Sequence, residues 1–153
     1  MFQGCTSLTT APALPSTSLV DHCYQNMFSG CTSLTTAPTL GATTLAEACY
    51  DSMFKDCTNL EVAPVLPATT LVSNCYYQMF YNCVRINEIW CAAKAGMNSS
   101  DCLENWLTNT AASGTFHKNP NATIGPSVGA SQWQESSGNG IPAEWTIFND
   151  CGE

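Results

Sequence analysis

The chain has 153 residues, of which 44% are hydrophobic and only 10% are charged, a composition that can bury a core and that argues against global disorder. Its formal net charge of −8 reflects twelve acids against four Lys and Arg residues. Without a basic cluster, neither nucleic acid nor an anionic membrane surface is an expected partner. No apolar run approaches the roughly 18 residues that a transmembrane helix needs, so this segment is not expected to insert into a membrane.

Residues 1–90 form a tandem repeat with a period of 26 residues. A fixed period of this length is typical of repeat architectures, in which neighbouring units stack to bury a shared core. The chain begins partway through a unit and carries no polar cap there, so we expect it to be the C-terminal portion of a longer array. The columns that repeat without gaps include Met1, Met27, Met53 and Met79; Cys5, Cys31, Cys57 and Cys83; Leu8, Leu34 and Leu60; and Cys23, Cys49 and Cys75.

Within one unit, the spacing of apolar residues predicts a short helix and a short strand. From Cys23 to Cys31 the apolar residues fall at i, i+1, i+4, i+5 and i+8, which places them on one helix face, and Gly30 fits the helix end. The Thr-rich run Leu34–Leu40 favours a strand that its proline keeps short, and Leu40–Leu45 is a connecting turn. We therefore predict an α/β solenoid with one short strand and one short helix per unit.

Positions that differ between copies on the strand side are the candidate ligand-binding residues. Stacked strands lie about 4.8 Å apart, so such side chains form rows across a sheet and offer an extended surface. The alternative is that they are simply solvated threonines. The candidates are Thr9, Thr35 and Glu61 in one row, and Thr10 and Thr36, followed by Val62, in the next.

Residues 91–153 are expected to form a small α+β cap that closes the end of the array, because the repeat pattern breaks after Ile86. Asp101 followed by Glu104 predicts the start of a helix, which would end at about Asn109. The remaining expected elements are strands at Thr115–Lys118 and Trp145–Phe148 and a Gly-, Ser- and Asn-rich loop over 122–140.

The ten cysteines admit two interpretations. The repeat columns lie on the apolar side of the unit, so buried thiols are favoured over disulfides between adjacent units, such as Cys31 with Cys49. Outside the columns, Cys91 and Cys102 flank a loop that is freer to meet disulfide geometry, and they form the candidate disulfide. Cys83 is the competing partner for Cys102.

No metal, cofactor or catalytic site is expected. The chain has no Cys-x-x-Cys motif, and His22 and His117 are not spaced with any cysteine pair as zinc ligands. His22 precedes a cysteine, but the other copies carry no histidine there, which indicates surface variation rather than a nucleophile and its base. Trp133 and Trp145 are more typical of core residues, although such rings also stack against sugars.

The unit Met-Phe-x-x-Cys-Thr-x-Leu-x-x-Ala-Pro-x-Leu, followed by Ala-Thr-Thr-Leu and Cys-Tyr, resembles the BspA-like leucine-rich repeats of surface proteins from gut Bacteroidetes. Met27-Phe28, Cys31 and Leu34 match the family's apolar pair, Cys and Leu. The resemblance implies a leucine-rich-repeat right-handed superhelix. It also implies an exported, surface-attached protein that binds host or microbial proteins or glycans.

Together, the residues and the resemblance predict a non-enzymatic extracellular binding or adhesion module that recognises a protein or glycan through its repeat surface. The alternative is a structural or display element, such as a stalk, a fibre or a phage tail appendage, in which the repeats only set length. A weaker third hypothesis is an accessory domain of a carbohydrate-processing enzyme.

Overall fold

The computed structural model describes residues 1–122 and 140–151. Within these residues the regular elements are three short strands, β1 (Glu88–Cys91), β2 (Gly114–Lys118) and β3 (Trp145–Phe148). They form one parallel sheet in the order β1-β2-β3. The two strands predicted for the C-terminal segment are confirmed as β2 and β3, whereas β1 lies where the sequence predicts no strand.

The prediction of a helix in each repeat is wrong, because the described residues contain no α-helix. The segments 21–30, 47–56, 73–82 and 100–109, which we call the turn segments, are runs of overlapping β-turns. In the first of them, Gln25, Met27 and Ser29 donate their N–H groups three residues back, at 3.1 to 3.2 Å, whereas an α-helix bonds four residues back. The α/β leucine-rich-repeat solenoid is therefore not the fold, and the helix expected at Asp101–Asn109 is a run of turns as well.

The alternate N–H groups of each turn segment bond to the next unit. Tyr24 donates to the carbonyl of Cys49 at 3.0 Å, Tyr50 donates to that of Cys75 at 3.2 Å, and Tyr76 continues the series. Buried backbone polar groups need partners, and a helix would satisfy most of them within itself. The turn segments instead satisfy half of their N–H groups between units, and these bonds hold the stack together.

Left-handed backbone recurs every four residues along the turn segments. In the first, His22, Asn26 and Gly30 have φ angles of 58°, 55° and 74°, each at the third position of a β-turn, as in type II turns. Glycine and asparagine adopt this conformation at the lowest cost. An apolar spacing of four residues fits such a run of turns as well as it fits a helix face, which is why the apolar pattern alone predicts the wrong element.

The core is built from aromatic side chains that stack from unit to unit. Neighbouring rings lie 5.7 Å apart in one stack, with planes within 7° of parallel, and 5.9 to 6.4 Å apart in the other. These separations are those of favourable offset stacking, and the constant period is what aligns the rings. The first stack is Phe2, Phe28, Phe54 and Phe80, and the second is Tyr24, Tyr50, Tyr76 and Trp106.

The stack continues one unit beyond the visible sequence repeat. Asp101, Asn105 and Asn109 have φ angles of 52°, 53° and 57°, the same conformation at the same interval as in the other turn segments. The step from Cys75 to Cys102 is 27 residues instead of 26, and this single insertion hides the fourth unit from a fixed-period reading. The three residues expected to pack against the last repeat are buried in the common core: Leu103, Trp106 and Leu107.

All ten cysteines are free thiols. The prediction that the repeat columns bury their thiols is wrong for Cys5 and Cys23, which lie on the first unit and are exposed. Everywhere else in the columns a neighbouring unit covers the sulfur. The thiols confirmed as buried are Cys31, Cys49, Cys57, Cys75 and Cys83.

Candidate ligand-binding face

The candidate residues of the strand side lie together on one exposed surface. Thr10 pairs with Thr36, and Thr36 with Val62, through parallel bridges. The N–H of Glu61 donates to the carbonyl of Thr35 at 2.9 Å, so the neighbouring rows are in register. We call the outward surface of these bridged residues and of β1 to β3 the β face. The five predicted residues are all exposed on it: Thr9, Thr10, Thr35, Thr36 and Glu61.

One of these residues is engaged within the chain. The carboxylate of Glu61 forms an ion pair with Arg85 at 2.7 Å, and both side chains are about half exposed, at 54% and 53%. An exposed pair of this kind contributes at most about 1 kcal/mol. Its consequence is instead that the negative charge of Glu61 is largely compensated, so the threonine end of the β face is close to neutral.

Cys91 and Cys102 are buried free thiols, and a disulfide between them stays a prediction. Burial raises the pKa of Cys91 to about 12, and the nearby thiols of Cys151 and Cys102 add to the rise. Burial also raises the pKa of Cys102 to about 11. Because the thiolate is the reactive form, both sulfurs are inert at neutral pH.

The tryptophan considered for sugar stacking in the cap belongs to the core. Trp145 is buried, and its indole N–H donates to the carbonyl of Ala111 at 2.8 Å, which confirms the core interpretation for this residue. Trp133 lies outside the described residues, as does the predicted loop 122–140 apart from its two end residues.

A second part of the β face, which the sequence does not predict, is a row of apolar and aromatic residues. Leu66 pairs with Cys91, and this register places the exposed Val65 beside Trp90. The indole of Trp90 stacks on the imidazole of His117, with centroids 3.6 Å apart and planes 2° from parallel. His117 in turn stacks on Phe148 at 5.5 Å.

Two carboxylates flank the imidazole in this row. Nδ1 of His117 lies 2.7 Å from Oδ1 of Asp150, and Nε2 lies 3.4 Å from Oε1 of Glu88. The second contact is an ion-pair distance without a hydrogen bond, so the buried Nε2 has no hydrogen-bond partner among the described residues. We call Glu88, Trp90, His117, Phe148 and Asp150 the acidic aromatic cluster.

The cluster could be found only in part from the sequence. A 26-residue step from Val62 reaches Glu88, so the repeat extends the exposed row onto β1. The strand register places Trp90 opposite His117 and His117 opposite Phe148, at steps of 27 and 31 residues. Neither step equals the period, so no column connects the three rings.

Within the described residues, no group of three or more His, Cys, Asp or Glu side chains is arranged to hold a metal ion. Nor does any segment there form a helix with the length and hydrophobicity needed to cross a membrane. Comparison with protein-family models, curated proteins and solved structures gives no match to this chain. Function must therefore be inferred from the geometry of the β face.

Proposed function

We propose that the chain is a non-enzymatic binding module whose β face recognises a protein or a glycan. The observation that carries this proposal is the pair of threonine rows, which are exposed on adjacent strands. Each rung presents a hydroxyl and a methyl group about 4.8 Å from the next. A partner that is itself extended can contact several rungs at once.

The scaffold beneath the rows supports such a role because it is ordered before any partner arrives. Backbone hydrogen bonds join each turn segment to the next, and the ring stacks cross every unit boundary. A surface held in its bound geometry loses little conformational entropy on association. We further propose that the module acts at a cell surface, a location that depends on the sequence resemblance alone.

Arrays of glycans and of extracellular-matrix proteins, probed with the labelled chain, test this proposal. In the double variant Thr10→Lys/Thr35→Lys, two long charged side chains occupy the rows, and we expect at least a tenfold loss of signal on the bound ligand. The matched control is Gln3→Lys/Gln25→Lys, which adds the same charge at exposed positions away from the β face. We expect the control to bind like the parent chain.

Two results would contradict the proposal. Equal binding by both double variants would remove the threonine rows from the site. A parent chain that binds nothing on either array would favour the structural or display role. Thermal unfolding of both variants checks that any loss of binding is not a loss of folding.

A further inference from the structure

We propose that the acidic aromatic cluster, at the C-terminal end of the β face, binds a lysine or arginine side chain of a protein partner. This inference rests on the proposed function and deepens it, because it assigns a protein and not a glycan to this end of the face.

The ring geometry disfavours a sugar here. Sugars stack on open aromatic faces, but the indole of Trp90 and the imidazole of His117 cover one another at 3.6 Å. The ring with a face turned away from this pair is Phe148, on β3 at the edge of the described sheet. Its 47% exposure suits a guanidinium or ammonium group placed over the ring, an attractive cation–π arrangement.

The two carboxylates have capacity left for a cation. Glu88 and Asp150 each direct one oxygen to His117, and their second oxygens have no partner among the described residues. Their side chains are 57% and 48% exposed, so a ligand can reach them. A charge-assisted hydrogen bond to a carboxylate is roughly twice as strong as one between neutral groups.

Exposed apolar side chains surround the carboxylates. Val65 is 55% exposed and Ile147 is 40% exposed. Lysine and arginine pack their methylene stems on such surfaces while the charged head reaches a polar group. The combination of acid and apolar surface therefore fits a long basic side chain better than a small inorganic cation.

The charge distribution of the chain also favours a basic partner. The formal net charge is −8. Two of the four cationic side chains are occupied elsewhere, Arg85 by Glu61 and Lys55 by the Tyr81 ring, 5.3 Å from its centroid. A net negative surface steers positively charged partners and raises their rate of association.

The test uses a fluorescein-labelled peptide of alternating Arg and Val, with a matched peptide in which citrulline replaces every Arg. Fluorescence anisotropy on the full chain gives Kd for each. We expect the Arg peptide to bind at least tenfold more tightly than the citrulline peptide. The variant Glu88→Gln/Asp150→Asn should bind the Arg peptide at least tenfold more weakly than the parent chain does.

The matched control is Asp21→Asn/Glu47→Gln, which removes the same two charges from the turn segments and should change Kd by less than twofold. Equal weakening by the two double variants would overturn the inference, since binding would then follow net charge alone. Equal binding of the citrulline peptide would overturn it as well.

Because Glu88 and Asp150 also hold His117, a measurement on the parent chain keeps the test independent of variant folding. In an amide NMR titration with the Arg peptide, we expect the shifts to concentrate at residues 88–91, 115–118 and 145–150, and shifts confined to the turn segments would sink the inference. Loss of array binding in Thr10→Lys/Thr35→Lys together with a negative peptide result would leave the proposed function standing and remove only this assignment.

Discussion

The thiol of Cys57 donates a hydrogen bond to the carbonyl oxygen of Phe28, with Sγ and O 3.0 Å apart. Cys83 and Phe54 repeat the contact at the same distance. The Phe28 carbonyl also accepts the N–H of Cys31, so the thiol uses its second lone pair. Only a protonated, unoxidised thiol can donate in this way, and the column is therefore built for reduced sulfur.

Thiol counting tests this arrangement. With a colorimetric disulfide reagent at pH 8, we expect two of the ten cysteines to react in the native chain, since only Cys5 and Cys23 are exposed. All ten should react after denaturation in guanidinium. A total of eight after denaturation would instead indicate one disulfide, and peptide mapping would show whether Cys91 and Cys102 form it.

Stability should fall at alkaline pH. Burial raises the pKa of Cys57 to about 12, the neighbouring Cys31 thiol adding to the rise, and burial raises the pKa of Cys49 to about 11. A folded-state pKa above the ordinary value of 9.0 means that the stabilisation is complete below pH 9 and is lost as the pH rises toward 11 and 12. Urea unfolding followed by circular dichroism, in the presence of a phosphine reductant, should give a constant midpoint from pH 7 to 8.5 and a falling one above pH 9.

A substitution separates this effect from general charge repulsion. Cys57→Ala removes one titrating group, so its midpoint should fall less steeply above pH 9 than that of the parent chain, although it starts lower at pH 7. Parallel curves for the two proteins would mean that the buried thiol is not a source of the alkaline loss.

The ring stacks should behave as core. Phe54 is fully buried between Phe28 and Phe80, and Phe54→Ala should cost about 3–5 kcal/mol of unfolding free energy, the usual range for deleting a buried ring. Phe2 is only partly buried at the first unit, so Phe2→Ala is the matched control with the smaller cost. Similar losses, measured by urea unfolding, would show that the end ring is as well packed as the central one.

The left-handed positions should tolerate glycine and reject β-branched residues. Asn82 has a φ of 60°; its side-chain amide donates to Asp56 at 2.7 Å and accepts from Asn109 at 2.8 Å. Asn82→Gly loses these exposed or half-buried hydrogen bonds, at about 1 kcal/mol. Asn82→Val loses them too and adds roughly 1–2 kcal/mol of backbone strain, so it should melt at the lower temperature. Equal melting temperatures for the two variants would contradict the left-handed assignment.

The repeat alone sorts much of the chain correctly into inside and outside. Phe28 and Cys31 recur with the period and are buried, whereas Thr35 and Glu61 occupy a column that changes between copies and are exposed. The physical reason is that a stack places equivalent residues in equivalent surroundings, so hydrophobicity read down a column reports burial. Column variation cannot separate a binding surface from a merely solvated one, and the threonine rows therefore stay a proposal.

The sequence by itself thus determined the period, the core columns and the two C-terminal strands. The tertiary structure decided the backbone of the turn segments, because the N–H of Tyr24 bonds to Cys49 only when the next unit lies beside it, and an apolar spacing of four residues carries no record of that partner. It also decided the acidic aromatic cluster, since Trp90, His117 and Phe148 meet only through the register of three parallel strands.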